Sequence, residues 1–262
     1  MKKRMMMAET VLETIHMSKI YNPGTLSAYE ALHDISLRIE EGEFVAVMGP
    51  SGCGKTTLMN AVTTIDMPTG GKVLIKGKDV THMKENETGR FRSRHLGFVY
   101  QNYHLLETHT LFENIAMPLA LAGEKDRTIE RKVLTLAAKL GIERELDKYP
   151  SACSGGQKQR AAIARALAND PSLIAADEPT GNLDSVTALQ VMELFYKLNR
   201  KEGTTILMVT HDPYIACFTS RVIFLKDGRI VHEIQRGDRR IGEYYREILT
   251  ASASGRIRSS GR

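Results

Sequence analysis

The eight residues GPSGCGKT, Gly49 to Thr56, place three glycines and a proline directly after the apolar run Phe44 to Met48. Such a stretch cannot extend a strand, and helical character resumes at once over Thr57 to Ile65, so the segment is a tight strand–loop–helix turn. The spacing matches G-x-x-x-x-G-K-[ST] in full. Small residues let successive backbone N–H groups curl round a polyphosphate, Lys55 supplies a point charge to the outer phosphates, and the Thr56 hydroxyl can bind Mg²⁺. The expected nucleotide-binding loop is therefore Gly49, Pro50, Ser51, Gly52, Cys53, Gly54, Lys55, Thr56 and Thr57. A chance glycine turn would not need strand, loop and helix in register.

The rest of the chain supplies a sheet for that loop. Thr10 to Met17 and Leu32 to Ile39 alternate loosely on either side of Asn22-Pro23-Gly24, which predicts an antiparallel start. Lys72 to Ile75 and Leu96 to Tyr100 read as two more strands. From Asn102 to about Arg165 the period becomes helical, with apolar residues at 129, 133, 134, 136, 137 and 140 closed by Gly141. Strands resume at Leu173 to Ala176, Thr205 to Thr210 and Arg221 to Leu225, with a helix at Ala188 to Asn199, the βαβ rhythm of a parallel sheet. The expected fold is α/β, a mostly parallel sheet with an N-terminal antiparallel part and a helical subdomain inserted at 102–165. With 262 residues, 42% of them hydrophobic, residues 10–250 are expected to form one domain. The ending ASASGRIRSSGR, 251–262, is small, polar and basic, and is read as a disordered tail or an expression scar outside the fold.

A formal charge of +5 suits an anionic partner, but the basic residues are spread along the chain, so no nucleic acid is expected. Cysteines at 53, 153 and 217 form neither a disulfide framework nor a metal-ligand spacing, which fits a reducing cytoplasm. The longest apolar runs, Phe44 to Met48 and Ile115 to Ala122, are too short to span a bilayer, and MKKRMMMAET lacks a signal-peptide core. Any membrane role must run through a partner.

Further candidates lie at strand ends. In LIAADE, Asp177 can hold Mg²⁺ through water and Glu178 can orient and polarise an attacking water. An acidic pair there can also be a plain turn, and it is the phosphate loop that favours the nucleotide reading. His211 follows directly on a strand, so its imidazole emerges at the carboxyl edge where doubly wound folds bind ligands, or it is a plain surface residue. Gln101, after the Gly97 to Tyr100 strand, can ligate Mg²⁺ or the attacking water, or be a loop amide. Tyr21 can stack on adenine or belong to the antiparallel core. A second glycine pair occurs in CSGGQKQR, Cys153 to Arg160, where Ser154, Gly155 and Gly156 begin a helix whose partial positive charge attracts phosphate. An ordinary capped helix start fits that stretch equally.

In order, Tyr21, GPSGCGKTT, Gln101, CSGGQKQR, LIAADE, Asp184 in GNLDS and His211 resemble the ATP-binding cassette family over nearly all of residues 10–250. The resemblance implies a P-loop NTPase cassette fold and an ATPase using ATP and Mg²⁺. It implies that Tyr21 is the adenine-stacking aromatic, Gln101 the lid glutamine, Ser154-Gly155-Gly156-Gln157 the signature, Asp184 the dimer-contacting aspartate and His211 the switch histidine. It also implies that two copies pair head to tail, each ATP lying between the phosphate loop of one and the signature of the other. The pair would drive an integral membrane permease from the cytoplasmic face of the cell membrane. Cys153 stands where the family usually has leucine and Cys53 where it often has serine, which places thiols at both halves of the nucleotide site, open to block by a bulky reagent.

The phrases PTGG, GFVYQNYHLL, ENIAMPLALAG and ADEPTGNLDS resemble the subgroup serving lipoprotein release, macrolide and toxin efflux, and peptide-antibiotic resistance. Thr64-Ile65-Asp66, GQKQR, THDP and DRRIGEYYREIL are most similar to the ATPases of bacitracin-type antimicrobial peptide transporters. The implied function is an ATPase for bacitracin- or lantibiotic-type resistance. The alternatives are lipoprotein release, macrolide efflux, or a soluble cassette ATPase that does not transport. A kinase or GTPase with the same loop would leave CSGGQ and His211 unexplained. Tyr103 to Ala122 is either the groove for a permease's cytoplasmic helices or subdomain core.

Overall fold

The computed structural model describes residues 9–253. It opens with the antiparallel pair β1 (Thr10–Tyr21) and β2 (Tyr29–Glu40), after which β3 (Phe44–Met48) leaves for a second sheet. β4 (Gly70–Ile75) pairs with the other side of β1 and β5 (Lys78–Asp79) closes the edge, giving the order β2-β1-β4-β5. β6 (Leu96–Tyr100), β7 (Leu173–Asp177), β8 (Ile206–Val209), β9 (Arg221–Lys226) and β10 (Arg229–Gln235) complete a six-stranded sheet in the order β10-β9-β3-β8-β7-β6. All its neighbours run parallel except β10, which turns back on β9 through Asp227 and Gly228.

Every residue of β3 and β8 is buried, as expected of parallel strands covered on both faces. The two-residue period sends alternate side chains to different cores. Phe44, Ala46, Met48, Ile174, Ala176, Ile206 and Met208 pack on the helical side, while Val45, Val47, Leu173, Ala175, Leu207 and Val209 pack toward the antiparallel sheet and α1 (Lys55–Val62). The loop of Gly49 to Gly54 is thereby held between two cores.

Next comes α2 (Glu85–His95), between β5 and β6. Between β6 and β7 the chain is helical: α3 (Leu111–Leu121), α4 (Asp126–Leu140) and α5 (Gly155–Leu167). Thr110 and Glu113 form a capping box at the start of α3, and Gly141 (φ 67°) ends α4 in the left-handed backbone. α6 (Ser185–Glu202) links β7 to β8, α7 (Pro213–Ala216) precedes β9, and α8 (Ile241–Ala253) buries Tyr244 and Ile248, four residues apart, on one face.

Three details differ from the sequence reading. Leu134, counted in the apolar stripe of α4, is 48% exposed, because Val133, Ala137 and Leu140 already fill the inward face. α2 went unread because only Thr88 and Phe91 of its eleven residues are buried, too few to print a helical period. Residues 251–253, assigned to the tail, continue α8; 254–262 lie outside the described residues. Among the described residues no helix is long and apolar enough to cross a membrane.

Phe195 of α6 is fully buried with its ring 6.4 Å from that of Phe44, so it ties α6 to the central strand β3. Phe195→Ala should cost about 3–5 kcal/mol, read as a lower urea midpoint at unchanged m-value.

Candidate functional site

Four parallel strands end side by side. Val47 of β3 pairs with Val209 of β8, Val209 with Asp177 of β7, and Asp177 with Tyr100 of β6. Gly49, His211, Glu178 and Gln101 follow within two residues of those positions, so one edge of the sheet gathers them.

The glycine loop fits only glycine at two points. A Cβ on Gly49 would lie 2.1 Å from the Leu225 carbonyl oxygen, and one on Gly54 (φ 103°) would lie 2.7 Å from that of Ala31. α1 starts at Gly54 with no side-chain cap, so its first N–H groups have no intrahelical acceptor. Lys55 folds back across the loop and donates to the carbonyls of Gly49 (2.8 Å) and Pro50 (2.9 Å). Pro50, Ser51, Gly52 and Thr56 are exposed, while Thr57 is half-buried.

Asp177 and Glu178 differ in setting. Burial raises the Asp177 carboxyl above the usual carboxylate range, Glu178 beside it adds to the rise, and Lys55 opposes it. The His211 Nδ1 donates to Glu178 Oε1 at 2.8 Å, with the imidazole 71% exposed and the Glu178 side chain 18%. Glu178 takes a left-handed backbone (φ 46°), pinned by its N–H on the Val209 carbonyl (3.0 Å) and by its carbonyl on the Gly181 N–H (3.0 Å). A non-glycine residue held there costs about 1–3 kcal/mol, and such outliers cluster at working sites. For a divalent cation the chain offers hard oxygens, the Asp177 carboxylate and the exposed Thr56 hydroxyl, neither bonded to another described side chain. No group of three or more His, Cys, Asp and Glu among the described residues can close round a metal. That sparse set fits Mg²⁺, which keeps phosphate oxygens and waters as its other ligands.

Gln101 lies against Gly181 and donates from Nε2 to Asn182 Oδ1 (3.3 Å). Asn182, which the sequence reading overlooked, also donates to the Gln101 carbonyl (3.1 Å) and to Asn102 Oδ1 (2.6 Å). Nothing in the local pattern of GNLDS marks it; the pairing of β6 with β7 brings its loop against that of Gln101, 81 residues away. Tyr21 ends β1, half-buried, with Lys19 Nζ 5.1 Å from its ring centroid. Lys19, also overlooked, is fixed by Asp66 Oδ1 (2.5 Å) and the Met67 carbonyl (2.7 Å).

The second glycine pair has an internal purpose as well. Ser154 caps α5, its hydroxyl accepting the Gln157 N–H (3.3 Å) while Gln157 Oε1 accepts the Ser154 N–H (2.9 Å) and its Nε2 donates to Glu145 (3.1 Å). A Cβ on Gly155 would stand 3.0 Å from the Tyr103 hydroxyl, and one on Gly156 would stand 2.6 Å from Thr187 Cγ2. Asp184 caps α6, accepting from the N–H groups of Val186 and Thr187 and from the Thr187 hydroxyl (2.6 Å), which together hold its carboxyl below the usual range. Among the described residues no hydrogen bond, ion pair or ring contact joins 153–157 to 49–57.

The family model described as ABC transporter matches residues 32–181. The ABC transporter ATP-binding protein YxdL of Bacillus subtilis is 52% identical over 239 residues, covering 91% of this chain and 92% of the relative. The bacitracin export ATP-binding protein BceA of Halalkalibacterium halodurans is 45% identical over 240 residues, 91% of this chain and 94% of the relative. Among solved structures, the dimeric, post-hydrolysis ATP-binding cassette MJ0796 bound to ADP and Pi superposes with a TM-score of 0.79 at 38% identity, over 86% of this chain and 98% of that one.

One of the two loop thiols is placed otherwise than expected. Cys53 is 5% exposed and its side chain packs under the loop into the core, so its thiol is closed to a bulky reagent. Burial raises its thiol, with Lys55 opposing; burial likewise raises Cys153 and pushes Cys217 to about 11. Only Cys153 is partly open to solvent. Iodoacetamide on the native protein should therefore label Cys153 ahead of Cys53 and Cys217, at rates that climb with pH as thiolate forms; peptide mass spectrometry over time reads the order. Cys53 reacting first would contradict the burial.

Proposed function

This chain belongs to the ABC transporter family as an ATP-binding ATPase subunit, and from that premise we propose that it hydrolyses ATP between two of its own copies to drive a permease for peptide-antibiotic resistance. One observation carries the catalytic part: a single sheet edge gathers the Lys55 loop, the Asp177–Glu178 pair and His211.

Each residue has a share. Lys19 backs one face of the Tyr21 ring, leaving the other for adenine. The N–H groups of Gly49 to Thr57 receive the phosphates, and Lys55 exchanges its two loop carbonyls for phosphate oxygens. Thr56 and Asp177, with Gln101, would hold Mg²⁺, which offsets the charge developing on the phosphates as the terminal group transfers. Glu178 Oε1 is engaged by His211, so Oε2 is left to accept a proton of the attacking water. The left-handed backbone fixes the direction in which that carboxylate points.

The second copy supplies Ser154, Gly155 and Gly156. Supporting this, 153–157 make no bond to the loop of their own chain, and the hydroxyl of Ser154 keeps its proton to donate to phosphate. Gln157 holds the turn, and Asp184, its carboxyl held below the usual range by Thr187 and the capped N–H groups, lies next to Leu183, which packs on Gly155. Identity to a bacitracin export ATPase supports the peptide-antibiotic reading, and with it a permease partner and a peripheral place on the inner face of the membrane.

Glu178→Gln should lower kcat by roughly 100-fold or more at little change in ATP affinity, and ATP should then hold a dimer on gel filtration. Normal turnover in that variant would end the assignment of Glu178. For the partner, gentle purification from solubilised membranes should yield a many-helix permease with one large extracellular domain; a few-helix permease would point to lipoprotein release or macrolide efflux.

A further inference from the structure

Two residues beyond Gln101 the backbone does something costly. Tyr103 (φ 60°) and His104 (φ 48°) are consecutive non-glycine residues in the left-handed region. A side chain at such φ crowds the neighbouring carbonyl, and neither residue is an asparagine or aspartate that would ease the strain locally. Something must hold them.

Arg165, on the third turn of α5, does so. Its Nη1 donates to the His104 carbonyl at 2.5 Å and its Nη2 to the Tyr103 carbonyl at 2.8 Å, a fork across the two strained peptides. The guanidinium is half-buried and has no carboxylate partner among the described residues. A cation in that setting is worth keeping only for the bonds it makes there. The Tyr103 side chain returns along the same helix: its hydroxyl abuts Gly155, and Lys158 Nζ lies 5.2 Å from its ring centroid. From the other side Asn182 bonds Gln101 and Asn102.

We propose that Arg165 is a positioning residue for Gln101, a clamp that keeps a strained Tyr103–His104 hinge closed so that Gln101 and the Ser154–Gly156 turn move as one piece. This rests on the assignment of Gln101 to the reaction, and it adds a residue that touches neither nucleotide nor water. Without the clamp the hinge relaxes to an ordinary backbone, Gln101 shifts by an ångström or so, and the chemical step slows while ATP still binds.

The experiment is a kinetic cycle on the full chain. Arg165→Met should lower kcat by about tenfold or more with KM for ATP unchanged, because the loss is of geometry and not of a contact to ATP. His104→Gly removes the left-handed penalty, so adding it to Arg165→Met should recover most of the lost kcat. A merely structural arginine gives no such rescue. If Arg165→Met unfolds, Arg165→Lys carries the test, since an ammonium cannot fork onto both carbonyls as the guanidinium does. A folded Arg165 variant with normal kcat, or a lowered kcat that His104→Gly fails to restore, overturns the clamp. Gln101→Ala separates the two claims: lowered kcat there with an unaffected Arg165 variant condemns the clamp alone, whereas normal kcat in Gln101→Ala overturns the role of Gln101 and the clamp with it.

Discussion

Parallel pairing with both faces buried is the constraint on which the rest depends. A strand such as FVAVM is stable only between two cores, and once β3, β8, β7 and β6 are so placed their carboxyl ends must lie along one line. Gly49, His211, Glu178 and Gln101 sit one or two positions past those ends. Their proximity therefore owes little to contacts among themselves and nearly everything to alternating apolar side chains some way beneath them.

This explains which parts could be read in advance. The central strands, the helix after the glycine loop and the stretch of α4 were legible because continuous apolar runs and helical periods survive in the sequence. The α/β class with an antiparallel N-terminal part agrees with the solved cassette. α2 was illegible because Phe91 is the one apolar side chain among its eleven residues, and the other buried one, Thr88, is polar. At the candidate site, Gly49 to Thr57, Asp177, Glu178 and His211 were visible as strand-end motifs, but Lys19 and Asn182 were not, since each is held by hydrogen bonds to partners 47 to 81 residues distant. The thiol of Cys53 was misjudged because spacing fixes a residue's place in a loop, and only packing decides which way its side chain turns.

The second glycine pair is specified twice over. Gly155 and Gly156 leave little Cβ room against the side chains of Tyr103, Leu183 and Thr187, so packing within one chain already favours glycine there. A phosphate approaching that helix start would demand the same absence of side chains. One pair of residues thus answers to intramolecular packing and to ligand access at once.

α5 is tied closely at its far end too. A Cβ on Gly97 would come 2.3 Å from the Ala166 carbonyl, and Asn169 just beyond the helix bonds the carbonyls of Ser93 and Pro118. Thirteen residues make a rod about 20 Å long, so with that end as fulcrum a tilt of about 10° sweeps the glycine turn through roughly 3 Å, one hydrogen-bond length. A small rotation at the root of the lever is enough to make or break contact at its tip.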